Sequence, residues 1–253
     1  LALPIHWGET LLQTPSDFQL PYTIYQDWVE ERLGRYKKPP PFTKINQNIF
    51  VDRKRRTDPH PSICQCDPEQ DLGCGPNCIN RMLFYECSPK NCPCGDKCTN
   101  QIIQKRQMQS KLEVFWSGAR GFGLKTKEML PRDTFIMEYR GEIISSQECL
   151  RRMTCSYQNN CHYYFLDYHQ GEMLDATTKG SILRFANHSC EPNCRMEKWK
   201  INGEYAIVMV ADRDIPAGDE LVYDYNYSML TSTDEAPRCL CGSTQCRQVI
   251  AAK

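Results

Sequence analysis

The sequence predicts a mainly β fold with short helices, flanked by cysteine-rich metal-binding modules. Two observations carry this expectation. Short aromatic and β-branched runs, closed by Gly, Pro or Asp, recur through the second half of the chain, and cysteines gather at close spacing before and after them. The runs are Phe135 to Tyr139, Glu142 to Ile144, Tyr163 to Leu166, Met173 to Asp175 and Tyr205 to Val210. Helical spacing occurs in Tyr25 to Arg35 and again from Ser146 to Ser156, where the opening serine suits a cap, its hydroxyl accepting a free N–H of the first turn.

With 253 residues, 25% of them charged, and no apolar run of membrane-spanning length, the chain is expected to be soluble, with one main domain and small appendages. No membrane partner is expected. It opens at Leu1 without Met, which fits a fragment of something longer. A formal charge of zero argues against a protein that coats nucleic acid by charge alone. Basic runs are local, at Lys37-Lys38, Arg53-Lys54-Arg55-Arg56 and Lys105 to Lys111, and each reads either as a solvated face or as a phosphate-contacting patch.

Sixteen cysteines are many for this length, and their positions decide their chemistry. Eight fall between Cys64 and Cys98, three between Cys149 and Cys161, two at Cys190 and Cys194, and three between Cys239 and Cys246. A secreted disulfide scaffold is the rival explanation, and no signal-peptide pattern is visible to support it. Cys64-x-Cys66, Cys74-x3-Cys78, Cys94-x3-Cys98 and Cys239-x-Cys241 are close thiolate pairs of the kind a tetrahedral zinc accepts, whereas Cys-x-Cys neighbours are poorly placed to bridge one another. The last cluster supplies only three ligands, and a closed zinc site needs a fourth. Cys149, Cys155 and Cys161 lack partners at metal spacing and are expected to be buried or incidental thiols.

The segment Arg184 to Cys194, RFANHSCEPNC, is a polar run with Pro and Asn that reads as a loop at a site, although an NHS triplet alone is as well a surface turn. Upstream stand Gly121-Phe122-Gly123, the stretch Phe135 to Ile144, and His162-Tyr163-Tyr164; downstream stands YDYNY at Tyr223 to Tyr227. In that order and spacing these blocks resemble the SET-domain lysine methyltransferases, from roughly Trp116 to Tyr227.

The resemblance implies a SET-domain β-fold of small curved sheets with a C-terminal pseudoknot, and a protein-lysine N-methyltransferase that uses S-adenosylmethionine. Tyr225 takes the family's catalytic tyrosine position, and Tyr139, Tyr163, Tyr223 and Tyr227 take the walls of a lysine channel. Cofactor contacts fall on Arg120, Gly121, Phe122 and Gly123, on His162 and Tyr163, on Arg184, Phe185, Asn187 and His188, and on Leu240. Phe122 stands where many relatives carry Trp and keeps the aromatic bulk. A dry aromatic channel beside a sulfonium lowers the pKa of an entering lysine, so no strong base is required and Tyr225 works by position. Each tyrosine, read alone, is equally a core aromatic, and His188 is equally a loop hydrogen bonder.

The first cysteine cluster resembles the AWS module, in which seven cysteines hold two zinc ions through one bridging thiolate. Carried over, Cys64, Cys66, Cys74 and Cys78 hold one ion and Cys74, Cys87, Cys92 and Cys98 the second, leaving Cys94 spare; two separate four-cysteine sites also fit the spacing. Cys239, Cys241 and Cys246 resemble a post-SET module that takes its fourth ligand from the NHSC motif, here Cys190, with Cys194 as second choice. Three zinc ions are implied, the last pinning the C-terminal segment over the active site. The implied organisation is an N-terminal extension over residues 1–59, an AWS module over 60–110, a SET domain over 111–230 and a post-SET module over 231–253.

This module order resembles the group that methylates lysine 36 of histone H3, and Asn80 to Pro89 look most like its absent-small-homeotic branch. Nuclear, chromatin-bound action on nucleosomes, contacting histone tail and DNA, is implied, with Tyr223 limiting the product to one or two methyls. A non-catalytic nucleosome-binding scaffold and a methyltransferase for a non-histone lysine are the alternatives, and the first would show as loss of Tyr225 or of the cofactor residues. In the N-terminal segment Pro39-Pro40-Pro41 reads as a stiff spacer. Phe18, Leu20 and Pro21 match the FxLP motif by which chromatin proteins dock onto MRG-domain partners, or else pack on the enzyme itself. Ser228 to Arg238 has the composition of a mobile connector, and in related enzymes such a loop gates the lysine channel.

Overall fold

The elements follow in the order β1 (Thr43–Lys44), β2 (Ile49–Phe50), α1 (Ile79–Met82), β3 (Leu112–Trp116), β4 (Phe122–Thr126), β5 (Phe135–Tyr139), β6 (Glu142–Ser145), α2 (Ser146–Arg151), β7 (Phe165–His169), β8 (Glu172–Asp175), β9 (Lys179–Gly180), β10 (Asn187–His188), β11 (Cys194–Ile201), β12 (Glu204–Ala211) and β13 (Val222–Tyr223). The computed structural model describes residues 39–108, 110–157, 164–226 and 237–250, together with 25, 26 and 29. Phe18, Leu20, Pro21, most of the helix expected at Tyr25 to Arg35, Cys161, His162, Tyr163, Tyr227 and the connector as far as residue 236 lie outside the described residues. Among the described residues no helix is long and apolar enough to cross a membrane.

The strands form small sheets, as the resemblance implies: β11-β12-β5, β2-β6-β8-β7, and the pairs β3-β4, β1-β9 and β10-β13. β12 is the central strand of its sheet and is buried on both faces. Ile207, Met209 and Ala211 join the main core with Leu124, Leu174, Leu183 and Leu221, while Ala206, Val208 and Val210 join a second cluster with Ile103, Trp199 and Ile201. This alternation is the two-residue period of a strand, and each fully buried aliphatic side chain contributes about 1.5–3 kcal/mol. The partner β5 carries a bulge where Phe135 pairs with Val210 and Met137 with Met209. The extra residue lets Ile136 enter the main core while Phe135 packs edge-on against Trp199 in the second cluster. Asn202 and Gly203, at φ 50 and 87, turn β11 into β12, the left-handed pair a tight hairpin demands.

Residues Phe42–Lys253 form one compact unit. It therefore reaches back into the stretch expected as an extension, because β1 pairs with β9 and β2 with β6. Arg53 reinforces this strap, its guanidinium donating to Glu172 and Glu204. The helix expected from Ser146 is α2 followed by a wider π turn over Arg152–Ser156, and its cap is one residue earlier than expected. Ser145 Oγ accepts from Glu148 N at 3.2 Å, whereas Ser146 Oγ donates to Gly171 O.

The cysteine cluster Cys64, Cys74, Cys78, Cys87, Cys94 and Cys98 is a small core of its own behind the second cluster. It is tied to the β11 edge by Glu86 N to Lys200 O and by Lys200 N to Phe84 O. The buried Glu86 carboxylate accepts from Ile103 N at 2.6 Å and Gln104 N at 3.0 Å, capping the turn that leads onward, and burial pushes its pKa up.

Candidate active site and metal centres

The two motif halves meet. The Asn187–His188 stretch, expected as a loop, is a short strand because its partner comes from far along the chain: β10 pairs in parallel with β13, setting Asn187 opposite Val222 and His188 opposite Tyr223. Asn193 locks the junction, its Oδ1 accepting from Val222 N at 2.9 Å and its Nδ2 donating to Glu220 O at 2.8 Å. Local side-chain bonding of this kind is what the Asn- and Pro-rich sequence favours.

Tyr225 lies at the centre of that junction. Its hydroxyl donates to Ala186 O at 2.9 Å, and its backbone N–H donates to His188 Nδ1 at 3.2 Å. With Nδ1 accepting, the His188 ring carries its proton on Nε2, which lies 3.4 Å from Cys190 Sγ. Burial, aided by Arg247, pushes the His188 pKa down against the raising pull of the nearby Asp224 carboxylate. The Tyr223 ring lies 4.8 Å from that of Tyr225, and Tyr139 and Tyr223 are both buried in the main core.

Three of the residues expected to hold cofactor, Arg120, Gly123 and Asn187, gather around a carboxylate the sequence reading missed. Glu220 accepts from Arg120 at 2.6 Å, from Asn187 Nδ2 at 2.8 Å and from Ser117 Oγ at 3.3 Å. A Cβ on Gly123 would come within 2.7 Å of that carboxylate and 2.8 Å of the Phe115 ring, so any larger residue would push both aside. Gly121, at φ 78 and ψ −134, closes the turn in front of β4 in a conformation that glycine tolerates. Phe122 packs edge-on to Trp116 at 5.1 Å and to Phe185 at 6.3 Å. Arg184 is buried beneath the Tyr164 ring, 3.8 Å from its centroid, and donates to Ala176 O and Thr177 O. Its Nη1 has no hydrogen-bond partner within the described residues, and burial lowers its pKa. His162 and Tyr163 are outside the described residues, and Leu240 is half exposed between Cys239 and Cys241.

Three sets of four thiols have sulfurs within 4.8 Å of one another: Cys64, Cys66, Cys74 and Cys78; Cys64, Cys74, Cys87 and Cys92; and Cys190, Cys239, Cys241 and Cys246. Observed S···S separations of 3.4 to 4.0 Å match the edges of a tetrahedron of Zn–S bonds of about 2.3 Å and are far too long for a disulfide. The chemistry and geometry of these donors fit zinc. The first and third sets are those the sequence reading named; the second has Cys64 where Cys98 was expected. Cys98 is buried in the same cluster and contacts Cys92 and Cys74. Cys94 is buried with its sulfur 3.9 Å from Asp67 O. Cys194 packs in the main core, where burial pushes its thiol up to about 12, so Cys190 alone of the two faces the C-terminal cluster. Cys149 is buried and Cys155 exposed, as the absence of spaced partners suggested.

One clamp joins the C-terminal cluster to the active-site strand. Arg247, next to Cys246, donates both guanidinium nitrogens to Asp224 at 2.7 and 2.9 Å, and its backbone N–H points to Cys190 Sγ at 3.3 Å. Asp224 lies between Tyr223 and Tyr225. Neither charge was singled out from sequence; their adjacency to motif residues was the available signal.

Residues 121–226 match the SET domain family and residues 61–106 the AWS domain family. The chain is 39% identical over 258 residues to the histone-lysine N-methyltransferase ash1 of Drosophila melanogaster, covering 100% of this chain and 12% of that protein. It is 38% identical over 224 residues to a human protein named histone-lysine N-methyltransferase, H3 lysine-36 specific, covering 86% of this chain and 8% of that protein. The chain thus spans about a tenth of the length of such curated relatives. A solved structure described as the structural basis for the product specificity of histone lysine methyltransferases superposes with a TM-score of 0.64 at 22% identity, over 84% of this chain and 96% of that one. With both modules in sequence order and the two motif halves joined at Tyr225, the chain belongs to the SET-domain family and carries an AWS module ahead of its SET domain.

Proposed function

We propose that this chain is the catalytic segment of an S-adenosylmethionine-dependent histone-lysine N-methyltransferase that adds one or two methyl groups to lysine 36 of histone H3 in nucleosomes. The observation that carries this reading is Tyr225, whose hydroxyl is held on Ala186 O where the two motif halves meet. Because the phenol proton is engaged by that carbonyl, the oxygen lone pairs are left to orient an incoming amine. Tyr139 and Tyr223 wall the channel and exclude water, which favours the neutral, attacking form of lysine. When bound, S-adenosylmethionine supplies a methyl group on a sulfonium. Arg120 and Asn187, fixed by Glu220, with Phe122 and Phe185, hold it against the turn at Gly121 and Gly123, and His188 keeps the Tyr225 backbone in register. Arg184 supports that wall from below Tyr164, and the resemblance adds His162, Tyr163 and Leu240 as cofactor contacts.

Zinc shapes the site without entering the chemistry, since closed sulfur sites leave no open position. One ion takes Cys64, Cys66, Cys74 and Cys78, and a second takes Cys74, Cys87, Cys92 and Cys98. Cys64 Sγ lies 3.4 Å from Cys74 Sγ, in keeping with a Cys74 thiolate shared by both ions. The third ion takes Cys190, Cys239, Cys241 and Cys246 and fastens the C-terminal segment beside the channel. Phe18, Leu20 and Pro21 dock an MRG-domain chromatin protein, and action is nuclear. Tritiated S-adenosylmethionine with nucleosomes, free octamer and lysine-to-alanine histone H3 variants tests the reading. Label on nucleosomes that disappears only with the lysine 36 variant is expected; label unaffected by that variant would move the substrate elsewhere.

A further inference from the structure

We propose that the seam between the AWS segment and the β11-β12-β5 sheet contains a phosphate-binding site built on Arg55 and Arg106. A cavity of about 310 Å3 opens there, on the sheet face served by Ile103 and Ile201. The basic runs Arg53 to Arg56 and Lys105 to Lys111 are distant in sequence, yet each contributes one arginine to the lining of this cavity.

The remaining charges that line it are already matched. Arg140 Nε donates to Glu138 at 2.7 Å, and the Glu204 carboxylate is taken by the Arg53 guanidinium and the Arg56 N–H. Arg55 and Arg106, both exposed residues of its lining, enter no ion pair within the described residues and so are free to meet an anion. Arg106 also has a left-handed backbone, φ 53, at the close of the turn in which Gln107 N donates to Ile102 O. Glycine or asparagine takes that conformation readily, whereas an arginine there costs about 1–2 kcal/mol. Strain of this kind persists where the particular side chain is used.

Paired guanidinium forks suit the oxygens of a phosphate, and Asn46 lines the same cavity, whereas the Gln104 amide is already engaged by Cys87 O and Asn202. The cavity is open enough to receive one phosphate of a nucleic-acid strand, a contact that positions without reading sequence. Glu138 and Arg140 face it from the side of β5 opposite Tyr139, so an occupant sits one strand thickness from the lysine channel without touching it. The chemistry of the site stands on its own, and only the assignment of its phosphate to nucleosomal DNA rests on the proposed function.

The test uses the chain of residues 1–253, a short labelled DNA duplex and inorganic pyrophosphate. The double variant Arg55→Ala/Arg106→Ala is compared with Lys54→Ala/Lys105→Ala, which removes equal charge from the same runs but from residues that do not line the cavity. The arginine pair is expected to weaken duplex binding about tenfold and to flatten the slope of log K against log salt by about 1–2, while the lysine pair changes either far less. Lost pyrophosphate protection in a thermal melt with unchanged duplex binding would keep the phosphate site and assign it to a soluble phosphate. Equal losses in both double variants, or no loss of either ligand in the arginine pair, overturn the proposal. Methylation of a free histone H3 peptide, read on the same preparations, is expected to be equal in both variants and separates failure of the cavity from failure of the methyltransferase reading.

Discussion

The two cysteine clusters offer the same sulfur chemistry in opposite settings. In the AWS module the cysteines bury one another, with Cys74 at 0% exposure and Cys78 and Cys87 at 1%, and they constitute nearly all of their local core. The C-terminal cluster is assembled from two distant parts of the chain; only Cys239 is buried, and Cys190 follows two residues after His188, just past the end of β10. The AWS cluster replaces a hydrophobic core, whereas the C-terminal one is a fastener whose free energy acts next to Tyr225. Position in the fold, and not the ligand set, decides which metal matters for catalysis.

Replacing the shared thiol by Cys74→Ser breaks that comparison most severely. A structural zinc contributes about 10–16 kcal/mol to its fold, comparable with a whole domain's stability of about 5–15 kcal/mol. Loss of both AWS metals and of soluble protein is therefore expected, and metal analysis with thermal melting would show it. Cys246→Ser should be milder: zinc content falls from three ions to two, the AWS module keeps its metals, and S-adenosylmethionine binding measured by calorimetry weakens. An unchanged content of three ions would refute the C-terminal ligand set.

Arg247→Ala sharpens the contrast by removing the clamp while leaving every thiol. Zinc content should hold and cofactor affinity should fall about three- to tenfold, equivalent to about 1 kcal/mol, with partial recovery in a double variant that exchanges the charges of Arg247 and Asp224. A smaller effect, on product and not on rate, is expected of Tyr223→Phe. It deletes the hydroxyl that fills space beside the amine, so mass spectrometry after exhaustive reaction should show a shift toward higher methylation. Abundant trimethyl-lysine from the parent chain would remove Tyr223 from that role.

Much of the fold was legible where burial wrote itself into residue type. Tyr205 to Val210 reads as a strand because both its faces are packed, and it is the core of β12. Its partner β11 escaped notice because Arg195, Glu197, Lys198 and Lys200 mask Met196, Trp199 and Ile201, even though the ladder pairs all of Cys194–Ile201 with β12. The Asn187–His188 strand was unreadable as such, since its pairing partner is Val222–Tyr223 and no local period announces a distant partner. Cysteine spacing pointed to thiol pairs of zinc type, while the sets themselves came from the resemblance, which put Cys190 ahead of Cys194; burial of Cys194 in the core agrees with that order. Glu220, Asp224 and Arg247 resembled ordinary surface charges until the fold brought them to Asn187, Arg120 and the C-terminal cluster.

The central claim is that the Tyr225 hydroxyl, anchored on Ala186 O, sets the geometry of methyl transfer. Methyl incorporation from tritiated S-adenosylmethionine into nucleosomes, measured for the parent chain and for Tyr225→Phe alongside zinc content and cofactor affinity, tests it directly. Turnover lower by on the order of a hundredfold with metals and cofactor binding intact is the predicted result; near-normal turnover by Tyr225→Phe would contradict it.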